Sequence, residues 1–217
     1  MSLGTDMAPQ APTRSRRGLL FAAAGVVLLG AMAWSTNVVR IGSEQDARAD
    51  VFSPEAFGAA EFPNIKANVE QRAVGAVALA AAIAADQAAA SAQYGVPAGV
   101  GAVIPVSFEG VVGEGKAGVY AVAVEGLPEE LLVRVQTGPA INGTDVRDAT
   151  GEITFGQFTN QIEYQNAGSA LNNQVKAQVL AGVDNSALTG KTIAVTGVFT
   201  LINPKNWLVT PVRLDVK

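Results

Sequence analysis

Between Gly143 and Gly151 the chain sets Asp145, Arg147 and Asp148, with Glu152 just beyond. Spacings of three and four would bring the three carboxylates onto one helix face. So aligned, they could hold a hard cation through oxygen ligands or work as an acid/base pair. The flanking pairs Asn142-Gly143 and Thr150-Gly151 mark turns, however, and the stretch reads as a loop with at most one helical turn. There a solvated polar loop, or Asp148 bonding backbone amides at a cap, is the plainer expectation. Arg147 offers a planar fork of donors, which can clamp an anionic ligand or hold a carboxylate or loop carbonyls of its own protein. Gly113-x-Gly115-Lys116 looks like part of a phosphate loop, but it lacks the full spacing and the following Ser or Thr.

The second polar feature is GQFTNQIEYQNAGSALNNQV, residues 156–175, in which eight of twenty residues are side-chain amides. Tyr164 and Trp207 with Asn160 or Gln161 have the makings of a sugar site, with rings to stack on and amides to bond hydroxyls. The plainer reading is that both rings are core aromatics with their polar handles satisfied. On a helical wheel over 159–181, Tyr164, Ala167, Gly168, Leu171, Val175 and Val179 share one face. Ile162, Asn166, Ser169, Asn173, Ala177 and Leu180 fall nearly opposite, with Thr159 as the N-cap. A mixed second stripe suggests burial against a polar element, and buried amides must be satisfied. Asn160, Gln161, Asn166 and Asn173 are therefore expected to fasten the 138–148 loop, with Arg147 and Asp148, to the domain.

The 217 residues contain no Cys and no His. That excludes thiolate nucleophiles, imidazole bases and the usual zinc and haem ligation. No catalytic residue, metal or cofactor is assigned. Net charge is −4, and residues 1–34 carry +2, which leaves −6 on residues 35–217. An acidic body without a basic stripe argues against nucleic acid as a partner.

Arg14, Arg16 and Arg17 precede an uncharged run from Gly18 to Trp34. Seventeen residues at helical rise cover roughly 25 Å, just short of a hydrocarbon core, and Ser35–Val39 would complete a span. Arginines before the run place the N-terminus inside and the body outside. Two fates fit: an uncleaved anchor in the inner membrane, or a signal peptide cut after Ala33 that leaves a periplasmic body. Ser15-Arg16-Arg17 also fits a twin-arginine export signal.

The remaining elements follow from capping and periodicity. Residues 1–36 form the tail and membrane or signal segment. Asn37–Ile41 is a strand candidate, and Ser43–Asp50 a linker. Ser53-Pro54-Glu55 starts a helix, and the Ala-rich stretch to Tyr94 continues it, with a break at Asp86 and a stop at Gly95-Val96-Pro97. Residues 51–97 thus read as a small helical subdomain. Beyond it, Val103–Glu114, Gly118–Glu125, Leu131–Thr137, Thr192–Leu201 and Leu208–Val216 alternate as strands. The turns fall at 113–116 and 203–206, and the helix lies between the third and fourth strands. That is the order of an OB-type barrel of five to six strands, built from 37–50 and 98–217.

QTGPAINGTDVRDATGEITFGQFTNQIEY, from Gln136, resembles the signature of the DUF2291 family of predicted periplasmic lipoproteins. Gly138-Pro139, Gly143-Thr144, Arg147-Asp148, Phe155 and the run Phe158–Ile162 carry the likeness. So do Leu188-x-Gly190-Lys191 and Thr210–Leu214 near the end. The resemblance implies an OB-like barrel with a helical subdomain, a place in the bacterial envelope, and an accessory role beside a sugar ABC transporter. Without a Cys there is no lipobox, so the apolar segment must do any anchoring. The leading expectation is a non-enzymatic, membrane-tethered periplasmic accessory protein contacting transporter subunits or the solute-binding protein. A module binding a small sugar-like solute in the barrel mouth is the alternative, and a carboxylate-based hydrolase the third.

Overall fold

The computed structural model describes residues 16–35 and 52–217. The strand candidate at Asn37–Ile41, the linker at Ser43–Asp50 and the barrel segment expected at 37–50 lie outside the described residues. The chain divides into two units, 1–51 and 52–217, and each is described by itself.

Among the described residues of the first unit, a helix, α1, runs Arg16–Ser35. Phe21, Val26, Val27, Leu28, Leu29, Met32 and Trp34 are all exposed on it. Among the described residues, no helix is long and apolar enough to cross a membrane. The physical reason lies in the arginine pair at its start, which leaves the uncharged run short of the roughly 30 Å hydrocarbon thickness. The expected membrane span at 18–34 is thus not seen as such.

The second unit opens with α2 (Pro54–Arg72), whose first turn matches the sequence reading. Ser53 caps it, its side chain accepting from the Ala56 amide at 3.3 Å, and Pro54 takes the first helical position. The Ala-rich stretch then breaks as expected. Strand β1 (Val74–Gly75) leads to α3 (Ala76–Ala85) and α4 (Gln87–Tyr94), and the Asp86 carboxylate accepts from the Ala88 and Ala89 amides at 2.9 and 3.0 Å. Strand β2 (Val96–Ala98) follows. These helices lie against the barrel within one compact unit, and β1 and β2 pair directly with β3.

The barrel consists of β3 (Gly101–Lys116), β4 (Val119–Ala123), β5 (Leu132–Gln136), β6 (Thr192–Leu201) and β7 (Asn206–Val216). Its order is β3-β4-β5-β7-β6, and β6 pairs back onto β3 over Ala102–Val111, so the sheet closes. Four pairings are antiparallel and the β5–β7 pairing is parallel. Inside, Trp207 and Phe199 stack with centroids 4.7 Å apart, amid Val133, Val135, Val195 and Val209. Ala102 to Val106 are buried on both faces of β3, because α2, α3 and α4 cover the outside of the barrel there.

One turn falls elsewhere than the sequence suggests. Residues 113–116 continue β3 through a register shift between Val112 and Gly115, and the hairpin turns at Ala117 and Gly118, with φ of 52° and 77°. Two successive left-handed residues are what a tight hairpin requires. Gly113 and Gly115 serve the irregular strand instead. Gly118 has a second constraint: a Cβ there would overlap the Gly138 carbonyl.

Helix α6 (Gln161–Gln174) lies between β5 and β6 in sequence. It buries Ala167, Gly168, Ala170, Leu171 and Asn172. Its neighbour is α2, and a Cβ on Gly58 would meet Ala170 at 3.0–3.1 Å, so small residues set the close approach of the two helices. The helix ends in a wider turn, Val175–Val179, where the Leu180 amide bonds the Val175 carbonyl at 3.1 Å. Both Val175 and Leu180 are buried.

Candidate functional site

The 138–148 loop carries most of the polar chemistry, and the structure shows what holds it. Gln136, 1% exposed at the end of β5, bonds Asn142 twice: its amide nitrogen donates to the Asn142 carbonyl at 3.0 Å, and its oxygen accepts the Asn142 amide at 2.9 Å. The same nitrogen donates to the Thr210 hydroxyl at 2.8 Å. Thr137 closes on the hairpin, its amide and hydroxyl both donating to the Gly118 carbonyl. From α6, Asn172 donates to the carbonyls of Gly143 at 2.9 Å and Ile141 at 3.4 Å.

A single helical turn, α5 (Asp145–Asp148), follows. Arg147 is buried, and its fork grips Asp148, Nε at 2.7 Å from one oxygen and Nη2 at 3.1 Å from the other. Nη1 donates to the Tyr164 carbonyl at 3.3 Å, and the guanidinium lies 3.7 Å from the centroid of the Tyr164 ring. Thr144 donates to Asp148 at 2.7 Å. Arg147 is therefore an internal clasp, one of the two roles the sequence allowed. A Cβ at Gly168 would lie in ordinary van der Waals contact with the clasp, 3.8 Å from Nη1.

The expected amide fasteners are corrected in identity. Asn160, Gln161, Asn166 and Asn173 are all exposed. Asn160, rather than Thr159, is the N-cap, its oxygen accepting from the Ile162 and Glu163 amides at 2.9 Å each. Glu163 reaches back to the Thr159 amide. The second stripe of the wheel faces solvent, apart from Leu180, which the wide turn carries inward. Asn172, between the two stripes, does the fastening. Trp207 is fully exposed to nothing but the barrel core: it is 0% accessible, its indole nitrogen bonds the Pro204 carbonyl at 3.1 Å, and it can contact no ligand. Tyr164 is half-buried, with Arg147 over one face of its ring and Phe155 and Phe158 packed around it, so the face under Arg147 is closed to stacking.

Around these groups lies a cleft of about 750 Å³, bounded by the β2–β3 turn (Pro97–Val100), the α5 turn, Gly151, Ile153, Thr154 and Phe155, and Thr200, Ile202 and Leu208. Asp145 and Asp148 both reach it, while Glu152 does not line it and stays exposed. The carboxylate trio of the sequence reading is thus a pair. The two differ in surroundings: Asp148 is matched by Arg147, whereas Asp145 accepts a bond from the Thr200 hydroxyl at 2.5 Å. Burial holds the Asp145 pKa above the usual carboxylate range, the Thr200 bond opposes the shift, and the neighbouring Asp148 charge adds to it. Among the described residues, no three carboxylates gather to hold a metal ion. Thr200, Val100 and Ile202 were not singled out in the sequence, where each is an ordinary strand end or loop residue, and Phe155 entered there only as part of the family likeness.

Closed order, one parallel pairing and an intervening helix define the class as an OB-type barrel. A crystal structure of an OB-fold protein from Thermotoga maritima shares that fold, with a TM-score of 0.61 and 18% identity over 76% of this chain and 99% of that one. The chain belongs to the DUF2291 family, described as predicted periplasmic lipoproteins, whose model matches residues 23–215. No curated protein matches it in sequence. The family match covers the 138–148 loop, α6 and the whole barrel.

Proposed function

We propose that the protein is a non-enzymatic accessory module of the bacterial envelope, tethered at the inner membrane through residues 18–34 and working beside a sugar ABC transporter. The observation that carries the tether is α1: large apolar side chains exposed along a helix that begins at an arginine pair. A soluble helix exposes few such groups, and one apolar along its length belongs in a core or a bilayer. The family is described as lipoprotein, yet this chain has no Cys to acylate, so a protein-borne anchor takes the place of a lipid. Ser35–Val39 would extend the run to spanning length.

The non-enzymatic reading is supported by how the loop is occupied. Arg147 and Asp148 are engaged with each other, with Thr144 and with the Tyr164 carbonyl, which supports reading the loop as a fixed, presented surface. The transporter as partner follows from the family resemblance, whose members sit beside such genes. Its subunits and its solute-binding protein are the contacts to seek. Co-purification from native membranes in mild detergent, with partner identification, tests this reading. Recovery of permease or solute-binding subunits supports it, and recovery of the chain alone from a soluble fraction defeats it.

A second reading, a module that captures a small solute, is favoured by the cleft, whose volume falls within the range of small-molecule sites. Ligand-dependent shifts in melting temperature distinguish it.

A further inference from the structure

The cleft beside α5 combines an apolar rim with one unmatched charge. Val100 is 83% exposed, Ile202 65% and Phe155 50%, and all three border it. Large apolar side chains gathered at the mouth of one cavity mark a contact surface rather than scattered exposure. On the floor, the charge on Asp148 is taken up by Arg147, the one cationic side chain lining the cleft. Asp145 has no such match. Among the described residues its hydrogen-bond partner is the Thr200 hydroxyl, and no Lys or Arg reaches it. A carboxylate partly withdrawn from water without a cation costs free energy. A cation brought in by a ligand would offset that cost.

We infer that this cleft binds a small ligand carrying a protonated amine on an apolar body, with the amine on Asp145 and the body against Val100, Phe155 and Ile202.

The lining disfavours other classes. No Asn, Gln or Trp borders the cleft, and the Tyr164 ring is covered by Arg147. A sugar would thus find none of the amides that bond polyol hydroxyls, and the half-exposed Phe155 ring adds no polar handle. An anion would meet a floor with two carboxylates and one guanidinium whose charge is matched by Asp148 and three of whose N–H groups are engaged. The charged and titratable groups facing Asp145 are Arg147 and Asp148 from α5 and Tyr164 from α6, while the β2–β3 turn, β6 and β7 contribute none.

The test uses the full chain in detergent, followed by amide NMR at neutral pH. The probes are cyclohexylammonium, its neutral counterpart cyclohexanol, and glucose. Cyclohexylammonium should shift the amides of Gly99, Thr154, Thr200 and Ile202, and bind about tenfold more tightly than cyclohexanol, the ratio for one charge-assisted contact. Asp145→Asn should erase that tenfold preference. Ile202→Ser, at an exposed position that leaves the fold intact, should weaken both cyclohexyl probes. Equal affinity for ammonium and alcohol, shifts of the same amides by glucose, or no shift with any probe would each overturn the inference. None of these outcomes depends on the tether or the transporter, so the two readings fail separately.

Discussion

The strap from Gln136 to Asp148 and the rim formed by Val100, Phe155 and Ile202 border one cleft but are built in opposite ways. In the strap, polar groups are matched: Gln136 with Asn142, Thr137 with the Gly118 carbonyl, Asn172 with two loop carbonyls, Arg147 with Asp148. On the rim, large apolar side chains meet water, and beneath them Asp145 lacks a cation. Matching of this kind fixes a loop in one conformation. Exposure and an unmatched charge give up stability, and such losses concentrate at sites of recognition. The strap is scaffold, and the rim with Asp145 is what it holds in place.

That contrast can be broken hardest at Gly118. Ala there would need a left-handed backbone and would collide with the Gly138 carbonyl. Gly118→Ala should cost more than about 3 kcal/mol, combining backbone strain with loss of the Thr137 contacts. Denaturant unfolding checks it, and near-native stability would show that the hairpin and strap are not locked together.

Arg147→Met comes next. It leaves the Asp148 charge buried without its partner, so a loss of roughly 3–5 kcal/mol is expected. Asn172→Ala should cost about 1–3 kcal/mol, the range for leaving a buried carbonyl unsatisfied. Asn166→Ala and Asn173→Ala, on the solvent face about two turns apart, should stay within about 0.5 kcal/mol of the parent. Equal losses at all three asparagines would erase the distinction between the faces of α6.

A modest effect is expected at Asp145, and its sign is reversed. A carboxyl whose folded pKa is raised is favoured when protonated, so its contribution to stability is present at low pH and is lost as pH rises through the folded value. Asp145→Asn should therefore raise the melting temperature at neutral pH. The gain should vanish below the ordinary Asp range of about 3.9, where the parent is itself protonated. A variant less stable than the parent at neutral pH would mean that the Asp145 charge is matched after all.

The barrel was legible in the sequence because its strands alternate and its helix falls between the third and fourth, an order with few closed solutions. Ser53 and Asp86 were legible because a cap needs only local chemistry. The fasteners were not. Asn172 and Asn173 are adjacent and chemically identical, and which one meets the loop depends on the azimuth at which α2 and the barrel seat the helix. Thr159 and Asn160 are both good caps, and the reach of Glu163 back to the Thr159 amide accompanies the choice of Asn160. Trp207 as a strand residue could face either way until the barrel closed around it. The rim was invisible because Val100, Phe155 and Ile202 come from three separate loops and meet only in three dimensions.

Strand β3 pairs with β1, β2, β4 and β6, and this centrality reaches into the kinetics of folding. β1 and β2 pair with it alone, β4 and β6 each share one edge with it, and its contacts with β6 span most of the sequence between the barrel's two ends. Long loops must close before those contacts form, which makes that step slow. Truncations in the doubly buried run Val103–Val106 should thus retard folding as well as hasten unfolding, whereas truncations in α6 should act mainly on the unfolding rate.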